Sequence, residues 1–291
     1  MAERHRVGFL TMDSLDEFVC YDHLVVDPLR RRAVDVEHVS WRQPGIRWDD
    51  FEMVVIRSPW DYQTAIEAFL QVLADIDASD AMLQNDLAIV RWNIDKRYLS
   101  DLQAAGVPVI PTDWLDRLDS SELQQLISRF AGQEFICKPQ VGAGAMHAFR
   151  LSSKSSPEVL AQVLATYDQR PVMIQPFIED IMKTGEHSLF YFNSQFSHCV
   201  LKTPKTGDFR VQEEHGGLLK AVIPHADLRQ VAETALAAIP GMVLYARVDL
   251  VRLPDDTPAV IEVELIEPSL YFAFDQQSPE RFADALAGML K

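Results

Sequence analysis

Apolar residues alternate with others at period two along Val248-Asp249-Leu250-Val251 and again along Val260-Ile261-Glu262-Val263-Glu264-Leu265, the pattern of two strands. The intervening Leu253-Pro254-Asp255-Asp256-Thr257-Pro258 is rich in turn formers, so the pair reads as an antiparallel hairpin. On the second strand Glu262 and Glu264 share one face, while Ile261, Val263 and Leu265 share the other. Asp249 lies on the facing strand, with Arg247 on its side.

Toward the amino terminus the pattern alternates between two periods. Val7–Leu10, Val34–Val39 and Met53–Ile56 are strand-like, whereas Tyr21–Arg31 and Ile66–Ile76 carry apolar residues at helical spacing. In an α/β lobe of this kind, ligands meet the loops past the carboxyl ends of the strands. Two such loops stand out: Thr11-Met12-Asp13-Ser14, and Arg57-Ser58-Pro59-Trp60-Asp61-Tyr62. The second gathers a cation, a hydroxyl, an aromatic ring and a carboxylate, a set suited to gripping an amino acid; a Pro-containing surface turn with a half-buried Trp is the competing reading. Asn93 reads as a helix cap before the apolar stripe Ile94, Tyr98, Leu99 and Leu102, a helix that Gly106 ends and Pro108 stops. Further strands follow at Val107–Ile110, Glu134–Lys138, Met146–Leu151 and Val172–Gln175, with a helix at Pro157–Tyr167. Ser188–Phe192 and Ser197–Leu201 add strands before the hairpin, and Pro279–Leu290 closes the chain as a helix. The expected organisation is three lobes, 1–88, 89–180 and 181–291, all of α/β character.

Composition narrows the partners. With 43 acidic against 27 basic residues the formal charge is −16, which opposes nucleic acid or an anionic membrane as a partner. A small anionic substrate remains open, because it responds to local rather than net charge. Cys20, Cys137 and Cys199 form no paired motif, and no apolar stretch reaches the length of a membrane span, so a cytoplasmic protein is expected.

Three carboxylates on one sheet face repel one another unless a cation sits among them. Oxygen donors without neighbouring Cys or His point to Mg²⁺ rather than zinc, against the alternative of a solvated strand face. Lys138 ends an apolar strand and precedes a small-residue loop containing Gly142 and Gly144, a combination able to hold ATP phosphates by an ammonium and backbone N–H groups. The chain has no Walker motif. Gln175-Pro176-Phe177-Ile178 ends a strand and offers backbone groups to a purine edge; Glu186 could accept from ribose hydroxyls.

The order of these pieces resembles the ATP-grasp superfamily. Asp95-Lys96 comes first, then Lys138-Pro139 before its loop, then Gly185-Glu186, then Arg210 with His215-Gly216-Gly217, then Asp249 and finally Glu262-x-Glu264. The branch that fits best holds the prokaryotic glutathione synthetases and ribosomal-protein glutamate ligases, and the resemblance runs from the amino-terminal lobe to about Tyr271. Within it, IRSPWDY, RWNIDKRYL and VIEVELIEP look like the subgroup with the D-cycloserine-forming ligase. The resemblance implies an ATP-grasp fold: a Rossmann-like amino-terminal lobe plus two α+β lobes clasping ATP. It implies a ligase that activates an amino-acid-like carboxylate as an acyl phosphate for attack by a nitrogen nucleophile.

It also implies roles for residues. Lys96, Lys138 and Lys202 hold the nucleotide under the loop with Gly142 and Gly144; Gln175, Phe177 and Ile178 frame adenine, and Glu186 the ribose. Asp249, Glu262 and Glu264 bind Mg²⁺, expected as two ions. Arg210, His215, Gly216 and Gly217 face the transferring phosphoryl group, and Arg57, Ser58, Trp60, Asp61 and Tyr62 take the substrate. Two positions depart from the superfamily pattern: Glu264 replaces the usual Asn, and His215 stands where several relatives carry Arg. A homodimer is compatible with the resemblance. Competing classes are a small-molecule kinase without ligation and a non-catalytic nucleotide-binding protein.

Overall fold

The computed structural model describes residues 4–16, 18–142, 144, 146–205, 210–211, 213 and 216–290. Its amino-terminal part runs β1 (His5–Thr11), α1 (His23–Arg31), β2 (Val34–Ser40), β3 (Met53–Ser58), α2 (Ile66–Asp77) and β4 (Met82–Gln84). These strands pair in parallel in the order β2-β1-β3-β4. All six residues of β3 are buried, because the sheet is covered on both faces and its central strand has no solvent side. Val25 and Leu29 of α1 pack on one face; Phe69, Leu73 and Ile76 of α2 pack on the other. Arg57 and Ser58, expected in a loop, are the last two residues of β3.

The linker α3 (Leu87–Asn93) starts at Asp86, whose carboxylate accepts from Ile89 N at 2.8 Å. Asn93 is therefore not a cap but the last residue of that helix, and it is buried for another purpose described below. α4 (Tyr98–Ala104) follows and ends at Gly106, which adopts φ +85°. Val107–Ile110, expected as a strand, forms only a parallel bridge between Val109 and Val260. Pro108 has no N–H to extend a ladder, though its carbonyl accepts from Val260 N at 2.8 Å.

The middle of the chain is β5 (Asp113–Leu115), α5 (Ser120–Arg129), β6 (Phe135–Pro139), β7 (Phe149–Leu151), α6 (Pro157–Tyr167) and β8 (Val172–Pro176). Its antiparallel sheet has the order β5-β8-β6-β7. α5 was not expected, yet Asp119 and Glu122 form a full capping box ahead of it.

The carboxy-terminal part holds α7 (Ile181–Thr184), β9 (Glu186–Phe192), β10 (Gln195–Thr203), β11 (Leu218–Ala221), α8 (Ala226–Ala237), β12 (Tyr245–Arg252), β13 (Pro258–Glu264) and α9 (Ser278–Met289). The strands form an antiparallel sheet in the order β11-β10-β9-β12-β13. Helix α8 buries Leu228, Ala232 and Ala235 on this sheet with α4's Leu99 and Leu102. Helix α9 returns to the first lobe, where Phe282, Ala283 and Leu286 join the core of α1.

Candidate active site

The expected hairpin forms, with Arg247 opposite Glu264 and Asp249 opposite Glu262; a register shift follows Asp249. Strand β13 is an edge of its sheet, and side chains take its free backbone groups. Asn93 brackets Glu264, its Nδ2 donating to Val263 O at 2.8 Å and its Oδ1 accepting from Leu265 N at 3.0 Å. The Tyr98 hydroxyl accepts from Val263 N at 2.8 Å. Asn85 continues the clamp, donating to Leu265 O at 2.7 Å and Tyr245 O at 3.0 Å. Two buried amides and a phenol from the linker thus hold the acidic strand in register. Sequence reasoning missed this: an Asn inside an apolar pattern carries no signal for which strand edge it will meet.

Between the central and carboxy-terminal sheets lies a cavity. Lys96, Lys138, Gly142, Gly144, Gln175, Phe177, Ile178, Glu186 and Lys202 all line it, with Asp249, Glu262, Glu264 and Arg210. Arg247 lines it too, a residue noticed in the pattern but given no site role. Cys137, Cys199 and Cys20 are free thiols. His215 lies outside the described residues, as do Ala143 and Ala145 of the small-residue loop. Gly216 and Gly217 do not line the cavity; Gly216 adopts φ +81° beside that segment.

The cavity's charges are interleaved. Lys96 Nζ meets Glu262 Oε1 at 3.0 Å and the Gly142 carbonyl at 2.5 Å, so it ties the acidic strand to the small-residue loop. Lys202, fully buried, lies between Glu186 and Asp249, the latter at 3.4 Å. Arg247 forks onto Asp249 at 3.0 and 3.1 Å and also pairs with Glu264. Burial pushes the Asp249 carboxyl up, but Arg247, Lys202 and the Ser188 hydroxyl outweigh it and hold the group down at about 2. Glu264 goes the other way: burial raises it to about 8, because its arginine is shared with Asp249 while Glu262 and Asp249 repel it. Burial also raises Glu186 and lowers Lys138. Among the described residues no group of three His, Cys, Asp or Glu side chains is gathered to hold an ion by itself, since lysines and arginine stand between the carboxylates.

At the other end of the cavity Gln175 donates to Thr112 Oγ1 at 2.9 Å, and Phe177 N donates to Glu134 O at 2.9 Å. The Arg150 guanidinium stacks over the Phe177 ring at 3.8 Å. Apolar Ile110, Ile136 and Ile178 complete a slot fit for a flat heterocycle.

The segment 57–62 lies outside this cavity. Arg57 is 1% exposed and paired with Asp22 at 2.9 Å; Ser58 is fully buried. Trp60 Nε1 donates to Glu267 O at 2.9 Å, Tyr62 is buried with its phenol on the Glu267 carboxyl, and Asp61 accepts from Trp41 and Arg42, each at 2.7 Å. Of these, Arg57, Trp60 and Tyr62 reach the turn that follows the acidic strand.

A parallel α/β lobe joined to two antiparallel sheets that enclose a lysine- and carboxylate-lined slot defines an ATP-grasp enzyme. Residues 7–85 match the model of the D-cycloserine synthetase DcsG N-terminal domain, and residues 109–244 match the prokaryotic glutathione synthetase ATP-grasp domain. The chain is 34% identical to the cycloserine biosynthesis protein DcsG of Streptomyces lavendulae, over 97% of its own length and 98% of that protein's. The crystal structure of D-cycloserine synthetase DcsG superposes with a TM-score of 0.84 at 31% identity, covering 98% of this chain and all of that one. The ATP-grasp ligase PsnB complexed with a phosphomimetic variant of its minimal precursor, Mg and ADP shares the fold at a TM-score of 0.69 and 16% identity, covering 99% of each chain. The chain belongs to the family of DcsG, within the ATP-grasp ligases. It is an ATP-dependent ligase of the kind that forms amide or cyclic amide bonds, with ATP and Mg²⁺ as the family's cofactors and a small molecule as its substrate.

Proposed function

We propose that this enzyme activates the carboxylate of a small amino acid as an acyl phosphate and closes it onto a nitrogen of the same molecule, as in formation of D-cycloserine from O-ureido-D-serine. The observation that carries this is the joint lining of one cavity by Lys96, Lys138, Lys202, Arg210, Asp249 and Glu262, together with similarity to DcsG along almost the whole chain. Three lobes, 1–88, 89–180 and 181–291, are the working organisation; each sheet falls within one of them.

A carboxylate is a poor electrophile, so its oxygen first attacks the γ-phosphorus of ATP and ADP leaves. The oxygen-bound nitrogen then attacks the acyl carbon: a C–N bond forms, the C–O bond to phosphate breaks, inorganic phosphate departs and the nitrogen loses its proton. Water then removes the carbamoyl group from the ring nitrogen as carbon dioxide and ammonia. Lys96 and Lys138 serve the phosphate chain, and burial suits Lys138 to this, since a desolvated ammonium binds an anion strongly. Glu186 addresses the ribose, and Gln175, Phe177 and Ile178 the adenine. Arg210 faces the migrating phosphoryl group, with His215, Gly216 and Gly217 on the same segment. The central lobe above Lys138 excludes water from the acyl phosphate.

Asp249, Glu262 and Glu264 would hold Mg²⁺, and we assign two ions. The donor set is all oxygen, and burial together with repulsion from Glu262 and Asp249 raises the Glu264 carboxyl to about 8, a cost that a hard divalent cation would remove. Bound Mg²⁺ supplies positive charge to the phosphate oxygens and so aids phosphoryl transfer. The reading places the enzyme where ATP is made and used, in the cytoplasm.

The test is release of ADP and phosphate from Mg-ATP with O-ureido-D-serine, against D-serine, other amino acids and amines, with Lys138→Ala alongside. ADP and phosphate with the ureido compound alone, lost in the variant, is the expected result. AMP and pyrophosphate would overturn the acyl-phosphate route, and a requirement for a second amine would overturn cyclisation.

A further inference from the structure

Glu267 stands just beyond the residues that line the cavity and differs from the acidic residues within it. Glu186, Asp249, Glu262 and Glu264 each meet a lysine or arginine. Glu267 forms no such ion pair among the described residues: Lys96 and Arg247 act on its carboxyl only from a longer range, and the Tyr62 phenol is its hydrogen-bonding neighbour. Its position is set from the amino-terminal lobe. Trp60 Nε1 fixes its carbonyl at 2.9 Å, and Arg57 Nη2 donates to the next carbonyl, Pro268 O, at 3.3 Å. The Phe18 ring lies 5.6 Å from that of Trp60 and is 40% exposed, so aromatic surface continues outward from this point.

An α-amino acid presents its ammonium one carbon from the carboxylate that is to be phosphorylated. Whatever binds the ammonium must therefore stand within a few ångströms of the acidic strand. It must be anionic, and it must not already be neutralised by the protein's own cations. Glu267, three positions beyond Glu264 and backed by Tyr62 and Trp60, meets all three demands. We propose that Glu267 receives the substrate ammonium, with Tyr62 as a positioning residue that orients its carboxylate. This deepens the ligase reading and rests on it. Burial raises the carboxyl to about 7, although Tyr62, Lys96 and Arg247 pull it down, and an arriving ammonium keeps it charged.

The test compares kcat/KM for O-ureido-D-serine with that for its desamino analogue, 3-(ureidooxy)propanoate, in the wild type, Glu267→Gln and Tyr62→Phe. The KM for ATP and the thermal midpoint serve as controls on folding. A charged hydrogen bond of this type corresponds to about 10- to 100-fold in affinity. The wild type should prefer the amino compound by that factor. Glu267→Gln should bring the ratio close to one with the KM for ATP unchanged, and Tyr62→Phe should lower it in part. A ratio in Glu267→Gln equal to the wild type's would overturn the assignment. Were Glu267→Gln to fail to fold, an unchanged ratio in Tyr62→Phe and Glu267→Asp would overturn it equally. Silence of the wild type toward both compounds, with ATP still bound, would instead sink the cyclising reading on which the assignment rests.

Discussion

Arg57→Ala should unfold this protein more readily, and the structure says by how much. The guanidinium is 1% exposed and joins three parts of the chain. It pairs with Asp22 at the start of α1, donates to Pro268 O beyond the acidic strand, and lies 5.2 Å from the Tyr245 ring and 5.8 Å from that of Phe282. Removing one member of a buried ion pair costs about 3–5 kcal/mol, since the other charge is left without a partner. Here Asp22 Oδ2 and Arg57 Nη1 already lack hydrogen-bond partners among the described residues, so part of that penalty is present in the wild type. About 3 kcal/mol is therefore the better figure, a fall of about 6 °C in thermal midpoint for a chain of this size. Replacing both partners, Asp22→Asn with Arg57→Met, should recover most of the loss, because no buried charge then remains. Thermal scans and urea titrations with Mg-ATP absent measure this directly. A midpoint for Arg57→Ala within about 2 °C of the wild type, or a double variant no better than the single, would refute the reasoning. If instead the KM for the acyl substrate rose at unchanged stability, Arg57 would be touching substrate itself.

Gly185 adopts φ +77°, and a Cβ there would stand 2.6 Å from Lys202 O and 2.8 Å from Leu201 and Thr203 side-chain carbons. Gly185→Ala should cost about 2–4 kcal/mol by urea titration and weaken nucleotide binding, because Glu186 and Lys202 move with that backbone. Burial lowers His198 to about 4, where it accepts from Ser197 and donates to Leu270 O. The unfolded chain binds this proton near pH 6.5 and the folded chain only near 4, so stability is full above the first value and falls as pH drops toward the second. The loss is at most about 3 kcal/mol, and His198→Gln should flatten the decline between pH 6.5 and 4.5. EDTA should abolish ADP release and excess Mg²⁺ restore it; activity that survives exhaustive chelation would contradict the role given to Asp249, Glu262 and Glu264.

Much of the architecture is written in local pattern. Period-two alternation marked β12 and β13, apolar runs marked β6, β7 and β8 of the central sheet though not its short edge strand β5, and the hairpin's register follows from its turn and its apolar face. Residues that line the cavity were legible as well, because Lys138 and Glu186 are charges at the ends of apolar runs and Asp249 and Glu262 charges within them, and each needed a reason to be there. Pairing across long separations was not. Nothing near Asn93 says that its amide will bracket Glu264 through bonds to Val263 and Leu265, 170 and 172 residues away, and nothing near Asp22 says that it will neutralise Arg57. Nor does composition tell that Arg247 and Lys202 separate the carboxylates, or that Glu267 forms no ion pair among the described residues. Hydrophobic periodicity is a property of neighbours in sequence, so it specifies elements and their faces. Which polar groups meet inside is decided only when sheets close on one another and each buried charge must find a partner or bear the cost of having none.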